Sequence, residues 1–345
     1  MKNSMDILNQ QETCLVTGVA GFIGSHLAEA LVARGYHVIG IDAFVDFYPR
    51  SIKERNLNSL LGMEAFQLIE ADLCSATLVD LLTNVDYVFH QAAQAGVRTS
   101  WSAGFRSYVE HNILGTQRLL EAARQSKVKR VIYASSSSVY GNTPTLPAHE
   151  ECQTQPISPY GVTKLAAEQL CRLYTTEHGL STISLRYFTV YGPRQRPDMA
   201  FHKFIRALLL DEPITIYGDG EQSRDFTYVE DIVAANIASM HHGYSGACYN
   251  LGGGVHVTVN EVLRLLEQIT GKRGRIHYSS HQLGDATHTY ADTTAARREL
   301  GFEPGVSLAD GLQKEVSWLA ELLPLPAPAL QTEVSALSRQ PRVRS

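Results

Sequence analysis

The sequence predicts an α/β protein: a doubly wound parallel sheet followed by a smaller mixed α/β C-terminal lobe. Three observations carry that prediction. Short apolar runs alternate with helix-length stretches through the first half, and strands separated by helices of that length need right-handed crossovers onto a parallel sheet. A glycine-spaced turn, VTGVAGFIGSHL, joins the first apolar run to the first helical stretch. After about Arg186 the alternation gives way to Gly-, Pro- and Asp-rich clusters, YGPRQRPD, YGDGEQSRD and NLGGG, the pattern of a lobe built partly from insertions.

The run Cys14, Leu15, Val16 reads as the first strand and Phe22 to Arg34 as the first helix. Between them Gly18 permits a tight turn, Gly21 lets backbone approach a pyrophosphate, and Gly24 lets helix and strand pack closely. Free N–H groups at the helix start then favour an anion. The second run, Tyr36 to Ile41, ends in Asp42, eighteen residues beyond Gly24. A carboxylate there accepts from a ribose 2′-OH and repels a 2′-phosphate, which favours NAD over NADP. Phe66 to Ile69, Tyr87 to Phe89 and Val131 to Ala134 read as further buried strands, with helices over Tyr108 to Gln125 and Tyr160 to His178. Ligands bind beyond the carboxyl ends of such strands, so Asp42, Asp72, Ala92 with Ala93, and the serines from Ser135 are the informative positions. Helices over Val229 to Met240, Val259 to Thr270 and Leu308 to Leu322 are expected to cover the second lobe. Residues 1–186 are then mainly an NAD-binding domain and 187–322 mainly a substrate lobe, with some segments returning to the first domain. Residues 323–345, punctuated by proline, are expected to be a flexible tail.

Composition narrows the function. Over 345 residues, 44% hydrophobic and 19% charged content are those of an ordinary globule. A net charge of −5 gives no basic footprint for nucleic acid. No apolar run reaches the length of a membrane span, and the opening MKNSMDILNQQET lacks the apolar core of a secretory signal, so a soluble cytoplasmic protein is expected. The five cysteines are scattered without a C-x-x-C pair, which suggests neither a metal site nor a disulfide framework.

The chemistry sits in mid-chain. Tyr160 and Lys164 are four residues apart and share one helix face. A nearby ammonium, with oxidised nicotinamide, would draw a phenol down from its ordinary value near 10, making Tyr160 a base. Ser136, in the run Ala134 to Ser138 after a predicted strand, can reach the same reacting oxygen. Serine runs also serve as loop filler, and Ser158-Pro159-Tyr160-Gly161 also suits a plain helix entry. With the glycine turn, however, the set describes a hydride-transfer site.

From about Thr13 to Trp318 the chain resembles an extended short-chain dehydrogenase/reductase, a Rossmann-type protein of the nucleotide-sugar epimerase and dehydratase group. The resemblance implies Ser136, Tyr160 and Lys164 as a catalytic trio. It also implies an NAD site that includes Phe22, Ile23, Asp42, Asp72, Leu73, Ala92, Ala93, Asn112 and Tyr187, while Gln91 departs from the usual apolar residue. The 4,6-dehydratases of the group carry an Asp-Glu pair where this chain has Ser137 and Ser138, and the decarboxylases that make UDP-xylose commonly carry glutamate at the second position. Both absences favour 4-epimerisation.

RYFTVYGPRQRPDMA, from Arg186 to Ala200, and HQAAQAGVR, ending at Arg98, resemble UDP-glucuronate 4-epimerases. By that resemblance Thr189 and Arg196 would hold the substrate carboxylate, helped by Ser137 or Ser138; a guanidinium fork matches a carboxylate in two hydrogen bonds. Galactose-type epimerases typically have asparagine where Thr189 stands. Arg224 and Asp285 align with positions around the UDP phosphates and ribose, although many relatives have arginine where Gln282 stands. A UDP-sugar substrate and a homodimer through Arg106 to Gln125 and Tyr160 to His178 complete the implied picture. Other readings stay open: an epimerase of UDP-glucose or UDP-N-acetylglucosamine, a UDP-glucuronate decarboxylase, and a non-enzymatic NAD-binding regulator.

Overall fold

In the computed structural model, which describes residues 11–324, seven parallel strands form one sheet. β1 (Thr13–Thr17), β2 (His37–Asp42), β3 (Phe66–Glu70), β4 (Tyr87–His90), β5 (Arg130–Ser136) and β6 (Thr182–Tyr187) are joined at one edge by a strand at Cys248–Leu251. Their spatial order is β3-β2-β1-β4-β5-β6 and then Cys248–Leu251. The chain winds outward from β1 to β3 and restarts at β4 on the other side of β1. A crevice therefore opens between β1 and β4 at their carboxyl ends. Register pairs Thr17 with both Ile41 and His90, which brings the glycine turn, Asp42 and the residues after β4 to one edge.

The central strands are buried on both faces, β4 and β6 along their whole length, as a parallel sheet between helices requires. Leu15, Val88 and Tyr133 belong to one apolar cluster with Leu119, Leu120, Ala167 and Cys171, on helices Gly115–Arg124 and Pro159–His178. The alternate residues Val16, Phe89 and Ile132 belong to a second cluster with Leu27 and Leu31 of α1 (Phe22–Ala33). That cluster continues into the second lobe through Phe201, Ile205, Val262 and Leu312. Each such fully buried side chain contributes about 1.5–3 kcal/mol, so the shared core fixes the lobe against the sheet and defines the cleft between them.

The helices expected over Val259–Thr270 and Leu308–Leu322 have those bounds. In the first, Thr258 and Glu261 form a reciprocal capping box and Gly271 closes the helix in a left-handed conformation. The helix expected from Val229 ends at Ala238. The expected helix Tyr108 to Gln125 is interrupted: a π-helical turn occupies Val109–Leu114 before α-helix resumes at Gly115–Arg124. β6 is not marked by the alternation because Thr182, Ser184 and Arg186 interrupt its apolar residues, and Cys248–Leu251 reaches the sheet only after the chain has passed through the lobe. No helix among the described residues is long and apolar enough to cross a membrane. The expected tail beyond Pro324 and the opening residues 1–10 lie outside the described residues.

Candidate active site

The glycine turn rests directly on its surroundings. Gly18 has a positive φ of 67° and donates its N–H to Ile41 O at 2.8 Å. A Cβ on Gly18 would stand 2.8 Å from the backbone of Ala92, and one on Gly24 would stand 2.2 Å from Gly18 O. Asp42 is held at the end of β2 by two backbone donors, Ala20 N–H at 3.0 Å and Phe44 N–H at 2.8 Å. Burial raises its pKa against those hydrogen bonds. Turn, Asp42, Asp72, Leu73, Ala92 and Ala93 all line one cleft of about 220 Å³. This cradle fits a dinucleotide: side-chain-free backbone and a helix start for the pyrophosphate, and a carboxylate for a ribose diol.

Across the cleft stands the helix Pro159–His178. Ser158 caps it by accepting from Gly161 N–H at 3.1 Å, and Pro159 supplies the first turn without a missing donor. A Cβ on Gly161 would meet Ser138 O at 2.6 Å, so the helix start sits against the serine turn. Tyr160 and Lys164, one turn apart, both line the cleft. Burial raises the Tyr160 phenol, opposed by the nearby Ser136 hydroxyl and by the charge of Arg196. The lysine was expected to pull the phenol down; instead Lys164 Nζ lies 4.5 Å over the Tyr133 ring, and burial pushes its own pKa down to about 7. Burial is the largest influence on both groups. Ser137 and Ser138 form a single 3₁₀ turn with Val139, capped where Ser136 Oγ accepts from Ser138 N–H at 3.1 Å.

Beneath the crevice runs a buried polar chain. Thr17 Oγ accepts from Ala92 N–H at 3.0 Å and meets His90 Nδ1 at 2.8 Å. His90 Nε2 meets Thr116 Oγ at 2.9 Å, and that hydroxyl donates to Asn112 O at 2.6 Å. Thr17 and Thr116 therefore satisfy a neutral His90 ring, and burial pushes its pKa down to about 3. Asn112 exchanges hydrogen bonds with the Gln94 backbone at 3.0 and 2.7 Å and donates to Thr163 Oγ at 2.9 Å. It lies below the cleft and braces the β4 loop against the Tyr160 helix. Tyr187 lines the cleft, but its hydroxyl turns towards Asn236 and Gln91. Gln91 Nε2 donates to Tyr187 OH at 3.1 Å and to Asn236 Oδ1 at 3.0 Å, which gives its unusual amide a structural use.

The remaining residues come from loops and from short elements outside the main sheet. Thr189 follows β6, and its carbonyl accepts from Thr227 N–H at 2.9 Å. Arg196 lines the cleft with Tyr160, and its Nε and Nη2 each donate to one oxygen of Asp198 at 2.9 Å. Its loop is anchored at Gly192 N–H, which donates to Glu315 Oε2 at 2.8 Å, and through Arg194, which donates to Glu29 of α1 at 2.7 Å. Arg98, Arg224 and Asp285 form a separate group. Arg98 Nη2 donates to Asp285 Oδ2 at 2.7 Å while its guanidinium stacks 4.2 Å from the Tyr217 ring centroid. Arg224 donates to Ser223 O and Thr287 O at 2.9 and 3.1 Å; burial lowers its pKa, helped by Arg98 and opposed by Asp285. Two guanidiniums against one carboxylate leave positive charge for an anion. Gln282 makes only a long contact with Ser280 O at 3.4 Å.

Residues 14–252 match the model of the NAD dependent epimerase/dehydratase family. This chain belongs to that family. It is similar to the "Uncharacterized UDP-glucose epimerase YtcB" of Bacillus subtilis, 46% identical over 310 residues that cover 89% of this chain and 98% of the relative. A UDP-glucuronate 4-epimerase of Thermodesulfobacterium geofontis is 40% identical, covering 90% and 97%. Among solved structures, the UDP-glucuronic acid 4-epimerase of Bacillus cereus in complex with UDP-glucuronic acid and NAD superposes with a TM-score of 0.88 at 43% identity, covering 90% of this chain and 100% of that one.

Several site residues of this epimerase/dehydratase family member escape a reading of motifs. Glu168 and Arg186 form a buried pair, Nη2 to Oε1 at 2.6 Å and Nε to Oε2 at 3.0 Å, and Ser135 Oγ donates to Glu168 Oε2 at 2.7 Å. The pair ties the helix of Tyr160 to β6; losing one partner of such a pair costs about 3–5 kcal/mol. Its sequence signals are an acid four residues beyond Lys164 and an arginine inside an otherwise apolar strand. Asp198 carries a signal too, an acid two residues from Arg196. His90 carries none beyond its place at the end of an apolar run.

Proposed function

We propose that the protein is a UDP-glucuronate 4-epimerase, interconverting UDP-glucuronate and UDP-galacturonate by transient oxidation at C4 with bound NAD. The observation that carries this reading is the guanidinium of Arg196 on the same cleft wall as Tyr160, where a carboxylate at sugar C6 can meet it. Similarity to two UDP-glucuronate 4-epimerases, from Thermodesulfobacterium geofontis and Bacillus cereus, supports it. Residues 1–186 would mainly hold NAD and 187–322 mainly the UDP-sugar.

NAD supplies the hydride acceptor and donor at C4, so no net oxidation results. Tyr160 takes the proton of the 4-hydroxyl and returns it when C4 is reduced on the other face. Ser136 hydrogen-bonds the same oxygen, and Lys164, whose pKa burial brings down to about 7, supplies positive charge on the same helix face when protonated. Gly18, Gly21, Gly24, Phe22, Ile23 and Asp42 hold the dinucleotide, with Asn112 acting through the loop it braces. Arg98, Arg224 and Asp285 hold the UDP group. The planar 4-keto intermediate turns over in the pocket between the two hydride steps. As a β-keto acid it loses CO₂ when the C5–C6 bond stands perpendicular to the carbonyl plane. Arg196 and Thr189, with Ser137 or Ser138, hold the carboxylate near that plane.

The test is incubation with UDP-glucuronate without added reductant, with the sugar product and CO₂ followed by NMR. UDP-galacturonate without pentose supports the reading, and UDP-pentose makes the protein a decarboxylase. UDP-galactose from UDP-glucose, without turnover of UDP-glucuronate, favours the second reading, to which the Bacillus subtilis relative points. The assembled Ser136, Tyr160 and Lys164 argue against a non-enzymatic regulator. We also propose a cytoplasmic homodimer. All five cysteines are free thiols. Phe105, Leu114, Val162 and Leu173 are 39–50% exposed, an apolar face that a second copy would cover. Sedimentation of the protein and of Leu173→Glu tests the dimer.

A further inference from the structure

Among the described residues Arg196 hydrogen-bonds only to Asp198, and the form of that contact has consequences for the sugar site. A guanidinium carries five N–H donors. Asp198 takes the Nε edge in a bidentate, side-on pair, with both contacts at 2.9 Å. Nη1 and the second N–H of Nη2 make no hydrogen bond among the described residues, so the end-on fork is free. That fork is the edge that takes a carboxylate in two parallel bonds. The guanidinium is partly buried near Tyr160 and Tyr48 and packs 5.9 Å from the Phe47 ring centroid, but aromatic neighbours leave its plane free to turn. Among the described residues Asp198 in turn makes no other side-chain hydrogen bond, and it is about one-third exposed.

Resting on the reading of Arg196 as the carboxylate-binding residue, we propose that Asp198 is the positioning residue that sets substrate choice at this site. By fixing the Nε edge it presents the free fork to the sugar carboxylate and keeps that carboxylate near the plane of the C4 carbonyl. Without Asp198 the guanidinium turns, the carboxylate follows it, and the 4-keto intermediate decarboxylates. In that step the C5–C6 bond breaks, CO₂ leaves, and the electron pair passes to the C4 carbonyl as an enolate, which takes a proton from water at C5. A neutral 6-hydroxymethyl sugar has no such group, and its turnover is unaffected.

The experiment compares wild type, Asp198→Ala, Arg196→Ala and the double variant as NAD-loaded proteins. Their kcat/KM is measured on UDP-glucuronate and UDP-glucose, pentose and galacturonate products are followed by NMR, and NAD content and Tm are checked. Asp198→Ala is expected to lower the ratio of UDP-glucuronate to UDP-glucose kcat/KM about tenfold and to release UDP-4-ketopentose or UDP-pentose, with NAD content and Tm as in wild type. The double variant is expected to match Arg196→Ala, because Asp198 acts only through that residue. Independent, multiplying losses in the double variant would overturn the proposal, as would an Asp198→Ala ratio within twofold of wild type, or equal losses on both substrates with a lowered Tm. Wild type inert on UDP-glucuronate would instead overturn the proposed function. An active wild type with an indifferent Asp198→Ala overturns only this inference.

Discussion

On the nucleotide side of the cleft, the surface offered to a ligand is mostly backbone, shaped by glycines at which an added Cβ would fall 2.2 to 3.1 Å from neighbouring backbone atoms. In the proposed sugar site it is arginine side chains, two of them already paired with an acid of the protein: Arg196 with Asp198 and Arg98 with Asp285. A backbone cradle has one shape and one class of ligand. Paired side chains can be re-aimed by a single substitution nearby. Within one core, the cofactor site is therefore the rigid region and the sugar site the adjustable one. Substitutions on the two sides should fail differently, the first through cofactor loss and the second through KM and selectivity.

The sharpest test lies at the seam. Tyr160→Phe removes one hydroxyl from a half-buried ring lining the cleft and should lower kcat about 10²–10⁴-fold, while NAD content and the Kd for UDP-glucuronate stay within twofold. If the variant also loses NAD, Tyr160 belongs to the cradle rather than to the chemistry. Gly24→Ala tests the rigid side. Its Cβ would fall 2.2 Å from Gly18 O, so α1 must shift, at about 1–3 kcal/mol of stability. The purified variant should show a lower denaturation midpoint and little bound NAD by absorbance ratio. Retention of full NAD would mean the turn is more pliant than its contacts imply.

The same contrast explains what could be read from sequence. The glycine turn, Asp42, and Tyr160 with Lys164 were legible because each depends on fixed local spacing: a turn, a strand length, one helical repeat. Helices with strong caps, Val259–Thr270 above all, kept their expected bounds. Asn112 was harder, because a π-helical turn carries it under the β4 loop and no periodicity announces that turn. The lysine's position over Tyr133 was missed because helical spacing gives the face a side chain is on but not its neighbour across the core. Arg98 and Asp285 are 187 residues apart, and charges on loops have no period, so only family resemblance pointed to them. The buried Glu168–Arg186 pair left a signal at each end, but its pairing could not be read, because the ends lie on different elements, the helix Pro159–His178 and β6.

A third test asks how the seam responds to acid. His90 has a folded pKa pushed down to about 3, against about 6.5 for a free imidazole. Between those values the unfolded chain binds a proton that the folded chain refuses, so stability rises with pH through this window and His90's contribution is intact above it. Lowering the pH from 6.5 to 5 should remove about 2 kcal/mol through this group. Denaturant titrations of wild type and His90→Gln at the two pH values measure it: the variant should lose less stability on acidification, whatever its stability at neutral pH. Equal losses would show that the Thr17–His90–Thr116 chain opens to water and accepts the proton without unfolding.

The smallest expected effect on the fold falls on the adjustable side. Arg98 and Asp285 are 44% and 29% exposed at their side chains, and pairs this open contribute about 0–1 kcal/mol. Arg98→Ala should therefore leave the denaturation midpoint almost unchanged, and NAD content with it. The KM for UDP-glucuronate should still rise about tenfold, because one of two guanidiniums facing the proposed diphosphate is gone, a loss of about 1.4 kcal/mol in binding. KM for UDP-glucose should rise by the same factor, since the diphosphate is common to both. That equality separates Arg98 from Arg196, whose removal should affect only the sugar with a carboxylate. A selective effect of Arg98→Ala would move this arginine from the diphosphate end to the sugar end of the cleft, and a large fall in stability would show that the pair ties the loop of Asp285 to the nucleotide domain.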